Sequence, residues 1–121
     1  MGSPPMTRGS VVLVRFPFSD LSNAKRRPAV VLADAGRGDF VLVQVTSNPY
    51  ADPRAVLLEE ASFASGGLRI LSYARPGKLF TANHTLIVRE VGTLDEPTLA
   101  TLTDAVVRLL RGDTPPISVG R

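Results

Sequence analysis

The sequence contains no cysteine, no tryptophan and a single histidine among its 121 residues. Without cysteine, neither a disulfide framework nor a thiolate metal site can form, and a reducing, cytoplasmic setting becomes the expected one. The histidine, His84, has no second imidazole with which to share acid-base catalysis, and it has few partners for a metal. Its neighbours Asn83 and Thr85 are typical of a turn, so we expect His84 at the surface.

Long apolar runs and cofactor-binding motifs are also missing. The longest purely apolar runs, 11–14 and 29–33, fall far short of the ~20 residues of a membrane helix. The sequence has no phosphate-binding glycine loop with a following Lys-Ser/Thr, no dinucleotide fingerprint, no HExxH and no nucleophile elbow. We therefore expect no membrane association, no cofactor and no metal. Residues 1–7 are expected to be a flexible tail or a cloning remnant.

Positive charge is concentrated in the first three quarters of the chain. The formal net charge is +3, but residues 1–89 carry 11 Lys/Arg against 6 Asp/Glu, whereas residues 90–121 carry 3 against 5. Twelve of the 14 cations are arginines. Arginine pairs bidentately with phosphate and stacks on bases, which is compatible with an anionic polymer as partner. A solvated, arginine-rich surface explains the same composition equally well.

Hydropathy predicts one domain of short strands followed by a helix. Apolar, β-branched segments favour strands, and segments rich in polar residues, Gly or Pro favour loops and turns between them. The predicted strands are 11–16, 29–32, 40–45, 55–58, 68–74, 79–81 and 86–91. The predicted loops and turns are 20–27, 34–39, 46–53, 65–67 and 75–77. Short strands at this spacing indicate a small, closed or strongly curved antiparallel sheet.

The C-terminal segment changes to a helical period. Apolar residues at 99, 102, 106, 109 and 110 form one stripe and predict a helix over 96–111. Thr93 or Asp95 can cap its start, and Gly112 ends it. We expect the helix to cover the sheet or to join a subunit contact. The domain is then 8–112, with the sheet over about 8–93, and 113–121 is a tail.

Two polar groups of residues could support chemistry on a phosphodiester. They are the basic run Lys25-Arg26-Arg27 and the hydroxyl pair Thr46-Ser47. Arginine together with a hydroxyl can hold a phosphodiester and stabilise its pentacoordinate transition state without a metal. A basic run in a loop is, however, more often a solvated turn. The adjacent Glu59 and Glu60 would point to opposite faces of a strand and cannot act as an acid-base pair.

Three longer motifs give these residues a context. GSVVLVRFPFSDLSNAKRRPAVVLAD, FVLVQVTS and GGLRILSYARPGKLFT follow one another in an order that resembles the PemK/MazF family of type II toxin-antitoxin toxins. The resemblance covers about residues 8–93, and the terminal helix agrees with the family's ending. It implies a mostly β fold, a small SH3-like antiparallel β-barrel with a C-terminal α-helix (CcdB/PemK/MazF-like). It also implies a homodimer that cuts single-stranded mRNA at selected sequences without metal, inhibits growth and is silenced by a cognate antitoxin.

The resemblance also implies roles for individual residues. Arg27 would be the principal catalytic residue, stabilising charge as the ribose 2′-hydroxyl attacks phosphorus to leave a 2′,3′-cyclic phosphate and a 5′-hydroxyl. Thr46 would hydrogen-bond a non-bridging oxygen. Some family members carry an acidic residue where this chain has Ser72, so the general base could be water, Ser72 or none.

RNA binding would use side chains around the three motifs. Cations suit phosphates, amides and hydroxyls suit base edges, and aromatic rings suit stacking. The candidate RNA-binding residues are Phe18, Asn23, Lys25, Arg26, Gln44, Ser47, Asn48, Ser72, Tyr73, Arg75 and Lys78. For each of them, packing or a turn is an equally open explanation.

Two other functions remain open on the same barrel. One is a non-enzymatic toxin or binding module that grips a protein target such as a topoisomerase, and the other is an RNA-binding module of the translation apparatus. If the chain is a toxin, the expected antitoxin would lay an acidic or apolar disordered segment into the RNA groove.

Overall fold

Antiparallel strands make up most of the protein. The computed structural model describes residues 6–16 and 25–113, and within these ranges seven strands precede one α-helix. They are β1 (Ser10–Phe16), β2 (Lys25–Gly36), β3 (Asp39–Thr46), β4 (Val56–Leu58), β5 (Phe63–Gly66), β6 (Ser72–Asn83), β7 (Ile87–Leu94) and α1 (Glu96–Leu110). Hydrogen-bonded neighbours follow the order β4, β6, β3, β2, β1, β7, β5 in a nearly closed barrel. The expected small antiparallel barrel with a C-terminal helix is confirmed.

The sheet is apolar on both of its faces. Val30 and Leu32 of β2 lie in one buried cluster with Leu99, Leu102 and other residues of α1 and the neighbouring strands. Ala29 and Val31, the alternate residues of β2, lie in a second cluster. That second cluster also contains Val12, Val14, Phe16, Phe40, Leu42 and Ala82. A strand buried on both sides needs a continuous apolar run, and this explains the sequence over 29–32.

Helix α1 packs on the first cluster through the apolar stripe predicted from the helical period, with Leu99, Leu102 and Val106 buried. It spans Glu96–Leu110, which confirms the expected helix to within one residue. Asp95 is its N-cap, and one carboxylate oxygen accepts the Thr98 backbone N–H at 2.9 Å. Hydrogen bonds from the Thr98 side chain and backbone hold the pKa of Asp95 below its ordinary value of 3.8.

The turn between β2 and β3 is shorter than the predicted loop over 34–39. Strand β2 extends to Gly36 and β3 begins at Asp39, so the turn is the pair Arg37-Gly38. Both residues have positive φ, 58° and 81°, as both central residues of a type I′ hairpin turn do. His84 lies exposed in a single 3-10 turn, His84–Leu86, and its backbone N–H donates to the Gly38 carbonyl at 2.7 Å.

The predicted turn at Arg75-Pro76-Gly77 is wrong. These residues belong to β6, where register passes from Val43↔Leu79 to Val45↔Ala74 and leaves residues 75–78 as a bulge opposite one residue of β3. A bulge bends a strand without ending it, and Pro76 is fully buried there. Sequence rules for Pro and Gly do not distinguish such a bulge from a turn.

Three other loop or strand assignments also need correction. Residues 25–27 begin β2, whereas the sequence predicts a loop over 20–27; residues 17–24 lie outside the described part. The predicted break at 65–67 overlaps β5, where Gly66 pairs with Gly92 of β7. Glycine is required at 66 because a Cβ there would collide with the Val91 carbonyl oxygen. Residues 68–71, predicted as strand, connect β5 to β6.

The cap of α1 predicts a specific acid dependence of stability. Because Asp95 has a lower pKa in the folded protein, its stabilisation is present above the ordinary value of 3.8 and is lost as pH falls through the folded value. Asp95→Asn keeps a capping oxygen but does not titrate, so its melting temperature should fall less than that of the parent from about pH 5 to about pH 2. Asp95→Ala should lower the melting temperature by about 4–8 °C near neutrality. If the melting temperatures of Asp95→Asn and the parent changed identically with pH, the stabilising role of the ionised Asp95 cap would be contradicted.

Candidate active site

The register of two central strands brings Arg27 and Thr46 together. On β2 and β3, Ala29 pairs with Gln44 and Val30 with Val43. This pairing ends at Ala29 and Gln44, and Arg27 and Thr46 each lie two residues beyond that pair on their own strands. Residues on facing pairs of an antiparallel sheet project to the same face, so the guanidinium and the hydroxyl share one side of the sheet.

A cavity of about 300 Å³ lies at this end of the sheet. It collects residues from the start of β2, the end of β3, the connection between β5 and β6, and the start of β6. Its lining comprises Arg26, Arg27, Pro28, Val45, Thr46, Ser47, Leu68, Arg69, Ile70 and Ser72. Five candidates from the sequence therefore meet in one cavity, and they come from three separate motifs.

Arg69 is a cavity residue that sequence reasoning missed. It lies in the connection between β5 and β6, within the stretch predicted as strand 68–74. A usable signal was present, because this cation lies inside the third motif, GGLRILSYARPGKLFT. Its placement across from Arg26 and Arg27 depends on how that connection folds over the cavity, and such a long-range contact leaves no local pattern.

The cavity carries three arginines and no carboxylate or imidazole among its described lining residues. Arg26, Arg27 and Arg69 are exposed, and none of them forms an ion pair within the ranges 6–16 and 25–113. Three unneutralised guanidinium groups make a field that attracts an anion, and each offers donors in a geometry that fits phosphate. The cavity is therefore suited to a phosphodiester.

The Thr46 hydroxyl is oriented by its own loop. Its Oγ1 accepts the backbone N–H of Asn48 at 3.1 Å. A threonine hydroxyl has one proton and two lone pairs, so a hydroxyl that accepts from Asn48 keeps its proton to donate. Half-buried Thr46 can thus donate a hydrogen bond to an oxygen of a bound phosphate.

Ser72 is buried at the wall of the cavity and uses its proton locally. Its Oγ–H donates to the Ile70 carbonyl at 2.7 Å, which ties the connection carrying Arg69 to the start of β6. The contact positions the connection, and it leaves Ser72 without a free proton for a substrate.

Glu59 and Glu60 are placed differently from the expectation. Strand β4 ends at Leu58, so the two residues do not alternate along a strand. Both line a neighbouring cavity of about 320 Å³, which shares residues 68–70 with the cavity of Arg27. The connection that carries Arg69 thus separates the arginine-lined cavity from one with two carboxylates.

The Arg75 side chain binds the loop that follows β3. Its Nε donates to the Asp52 carboxylate at 3.0 Å, and its guanidinium lies 5.1 Å from the centroid of the Tyr50 ring. The Arg75 and Asp52 side chains are 21% and 11% exposed, so this ion pair is largely shielded from water. Arg75 does not line the arginine cavity.

The remaining candidates are spread along the same end of the sheet without lining that cavity. Lys25, Asn48 and Lys78 are exposed, and Gln44 and Tyr73 are half-buried in β3 and β6. Tyr73 pairs directly with Thr46. Phe18 and Asn23 lie outside the described residues.

Two further observations concern metals and membranes. The described residues contain no cluster of three or more His, Asp or Glu side chains placed to hold a metal ion. Across the ranges 6–16 and 25–113, no helix has the length and apolar character needed to cross a bilayer.

The shielded Asp52–Arg75 pair should contribute more to stability than an exposed pair of equal length. Asp52→Ala leaves a part-buried guanidinium unpaired and should lower the free energy of unfolding by about 2 kcal/mol. The matched control is Asp104→Ala, which breaks a pair with Arg108 of 3.1 Å whose side chains are 61% and 64% exposed. That change should cost less than about 0.5 kcal/mol in urea denaturation at the same ionic strength. Equal losses in the two variants would refute the argument.

Known proteins share this architecture. A family model described as the PemK-like, MazF-like toxin of type II toxin-antitoxin systems matches residues 7–110. A comparison with curated proteins gives no match. Similar solved structures include an endoribonuclease in complex with its cognate antitoxin from a Mycobacterial species, with 16% identity and a TM-score of 0.71 over 92% of this chain and 100% of that one. They also include MazF from Deinococcus radiodurans, with 19% identity and a TM-score of 0.70 over 90% and 99% of the two chains.

The Mycobacterium tuberculosis toxin MazF-mt6 shares 15% identity and a TM-score of 0.66 over 84% of this chain and 96% of its own. At such identities the structural likeness establishes the fold. The family model carries the assignment further, because it spans nearly the whole described barrel and helix. The chain belongs to the PemK-like, MazF-like toxin family of type II toxin-antitoxin systems.

Proposed function

We propose that this chain is an endoribonuclease that cuts single-stranded RNA in the arginine-lined cavity, with Arg27 and Thr46 as its catalytic residues. One observation carries the proposal: Arg27, Thr46, Arg26 and Arg69 converge on one open cavity, where none of the arginines has an acidic partner in the described ranges. Membership of the toxin family supports it, and one similar solved structure is that of an endoribonuclease in complex with its cognate antitoxin.

The proposed reaction transfers phosphorus from one ribose oxygen to another. The 2′-oxygen attacks the adjacent phosphorus, the bond from phosphorus to the 5′-oxygen breaks, and the products are a 2′,3′-cyclic phosphate and a 5′-hydroxyl. The 2′-hydroxyl proton passes to water, and the departing 5′-oxygen takes a proton from water, so that one proton is lost and one is gained. The pentacoordinate transition state carries one more negative charge on its equatorial oxygens than the diester does.

The cavity residues act on that extra charge. Arg27 donates from its guanidinium to the equatorial oxygens, and Thr46 donates its remaining proton to one of them. A guanidinium keeps its proton near neutrality, so Arg27 stabilises charge and does not act as a base. The proton of Ser72 is held by the Ile70 carbonyl, and water takes the role of proton acceptor.

The natural partners follow from the same charge. An acidic antitoxin segment laid across Arg26, Arg27 and Arg69 would neutralise them and exclude RNA. One similar solved structure contains an endoribonuclease with its cognate antitoxin, and another is MazE–MazF from Deinococcus radiodurans. We propose in addition that the toxin is a homodimer and acts in the cytoplasm, where mRNA is found, by cleavage at selected sequences.

Substitution of either proposed catalytic residue should strongly reduce cleavage and leave the fold intact. Arg27→Ala and Thr46→Ala should each lower kcat on a long natural RNA in EDTA by about 10²–10³-fold, the loss typical of one transition-state donor. Thr46→Ser keeps the hydroxyl and should retain most activity. Arg108→Ala, an exposed arginine on α1, is the matched control and should cleave normally. Unchanged cleavage by both alanine variants would show that Arg27 and Thr46 take no part in the reaction.

The products of the same reaction identify the chemistry. Mapped ends should carry a 2′,3′-cyclic phosphate and a 5′-hydroxyl, and a 2′-deoxy substitution at the cut should block it. A 5′-phosphate would exclude attack by the 2′-hydroxyl. A protein that cuts no RNA but holds a protein target would instead support a non-enzymatic toxin on this barrel.

Arg69 should contribute binding charge to the site. Arg69→Ala should lower kcat/KM by about tenfold and reduce the slope of log binding constant against log salt concentration by about one, since one phosphate contact is lost. Arg111→Ala, beyond the end of α1, should change neither quantity. A normal salt slope for Arg69→Ala, measured on RNA with a 2′-deoxy cut site, would show that Arg69 does not touch the backbone.

A further inference from the structure

The loop after β3 presents a tyrosine in an unusual setting. Tyr50 is 62% exposed, and both Tyr50 and Ala51 have left-handed backbone angles, with φ of 55° and 56°. Left-handed backbone is unfavourable for residues other than Gly, because Cβ then lies too close to the following carbonyl oxygen. Two such residues in sequence persist only where the surrounding contacts determine the conformation, and such strain concentrates at functional sites.

Contacts on either side of Tyr50 determine that conformation. Asn48 accepts the Tyr50 backbone N–H at 2.9 Å through its side-chain oxygen, and Asp52 accepts the Arg54 backbone N–H at 2.9 Å. Asp52 in turn binds Arg75, whose guanidinium lies over one face of the Tyr50 ring. The ring is thus held from the bulge of β6, and its high exposure leaves the other face open.

The same contacts connect Tyr50 to the active site. Thr46 Oγ1 accepts from Asn48, and Asn48 accepts from Tyr50, so two consecutive turns lead from the catalytic hydroxyl to the ring. Four residues span at most about 14 Å even when extended, and turns shorten this path. A nucleotide close to a phosphate at Thr46 is therefore within reach of the ring.

We propose that Tyr50, backed by Arg75 and Asp52, is a stacking platform for an unpaired RNA base next to the cleaved phosphate; this rests on the proposed function. An open aromatic face is the group on which proteins stack unpaired bases, and the Arg75 guanidinium on the opposite face polarises the ring and prevents it from rotating away. Tyr50 contacts the base, whereas Arg75 and Asp52 are positioning residues.

Binding of a short fluorescein-labelled oligouridylate tests the platform whatever sequence the nuclease cuts. Tyr50→Ala should weaken binding by about tenfold, the effect typical of losing one stacked base, while Tyr50→Phe should bind nearly as the parent does. Because stacking involves no counterions, the salt slope should stay unchanged in Tyr50→Ala, in contrast to Arg69→Ala. Asp52→Asn releases Arg75 from its ion pair, so it should instead raise the salt slope, because a freed guanidinium can contact a phosphate. Melting curves confirm that each variant is folded.

The outcomes separate the platform from the proposed function. If the parent cleaves RNA and folded Tyr50→Ala binds the oligouridylate as tightly as the parent does, the stacking proposal is wrong. The exposed ring would then suit contact with a protein partner. Equal weakening in Tyr50→Phe and Tyr50→Ala would also overturn it, since the ring would not be what matters. If the parent cleaves no RNA yet Tyr50→Ala alone loses binding, the platform stands and the nuclease proposal fails.

Discussion

The antiparallel register of β2 and β3 is the constraint on which the site depends. A slip of one residue would turn Arg27 to the other face of the sheet and separate it from Thr46. Two irregularities in the pairing, between Val31 and Ala33 and between Asp34 and Gly36, separate the Arg37-Gly38 turn from the pairs Ala29↔Gln44 and Val30↔Val43. Each irregularity shifts the register by one residue, so the geometry of the candidate site depends on both of them.

The distribution of carboxylates decides which arginines are available to a ligand. Asp52 neutralises Arg75 at the bulge of β6, and Asp104 pairs with Arg108 on the helix. Arg26, Arg27 and Arg69 have no such partner in the described ranges, although their side chains share one cavity. Keeping three like charges together is unfavourable for the free protein, and a phosphate or an acidic peptide relieves that repulsion. Three of the cations that make residues 1–89 positive therefore lie in this cavity.

The sequence predicts those features that depend on local patterns. The helix follows from a 3.6-residue period with a capping aspartate, and the central strands follow from apolar runs, so both are recognised correctly. Arg27 and Thr46 come from motifs whose order resembles a family. The bulge at 75–78 and the placement of Arg69 depend on pairing between distant segments, for which Pro and Gly rules give the opposite or no indication. Arg75 shows the same limit, because its ion pair joins residues 23 positions apart.

The loop at Tyr50 combines backbone strain with side-chain contacts that offset it. Its two left-handed residues cost about 1–2 kcal/mol each, and a shielded ion pair with a cation–π contact offsets a similar amount. The loop therefore gains little net stability from this arrangement. What it gains is a fixed, solvent-facing ring two turns away from Thr46. The proposed reaction relies on charge stabilisation, since the described cavity residues include no carboxylate or imidazole, and it would therefore depend on accurate placement of the phosphate. A neighbouring base stacked on Tyr50 would supply that placement.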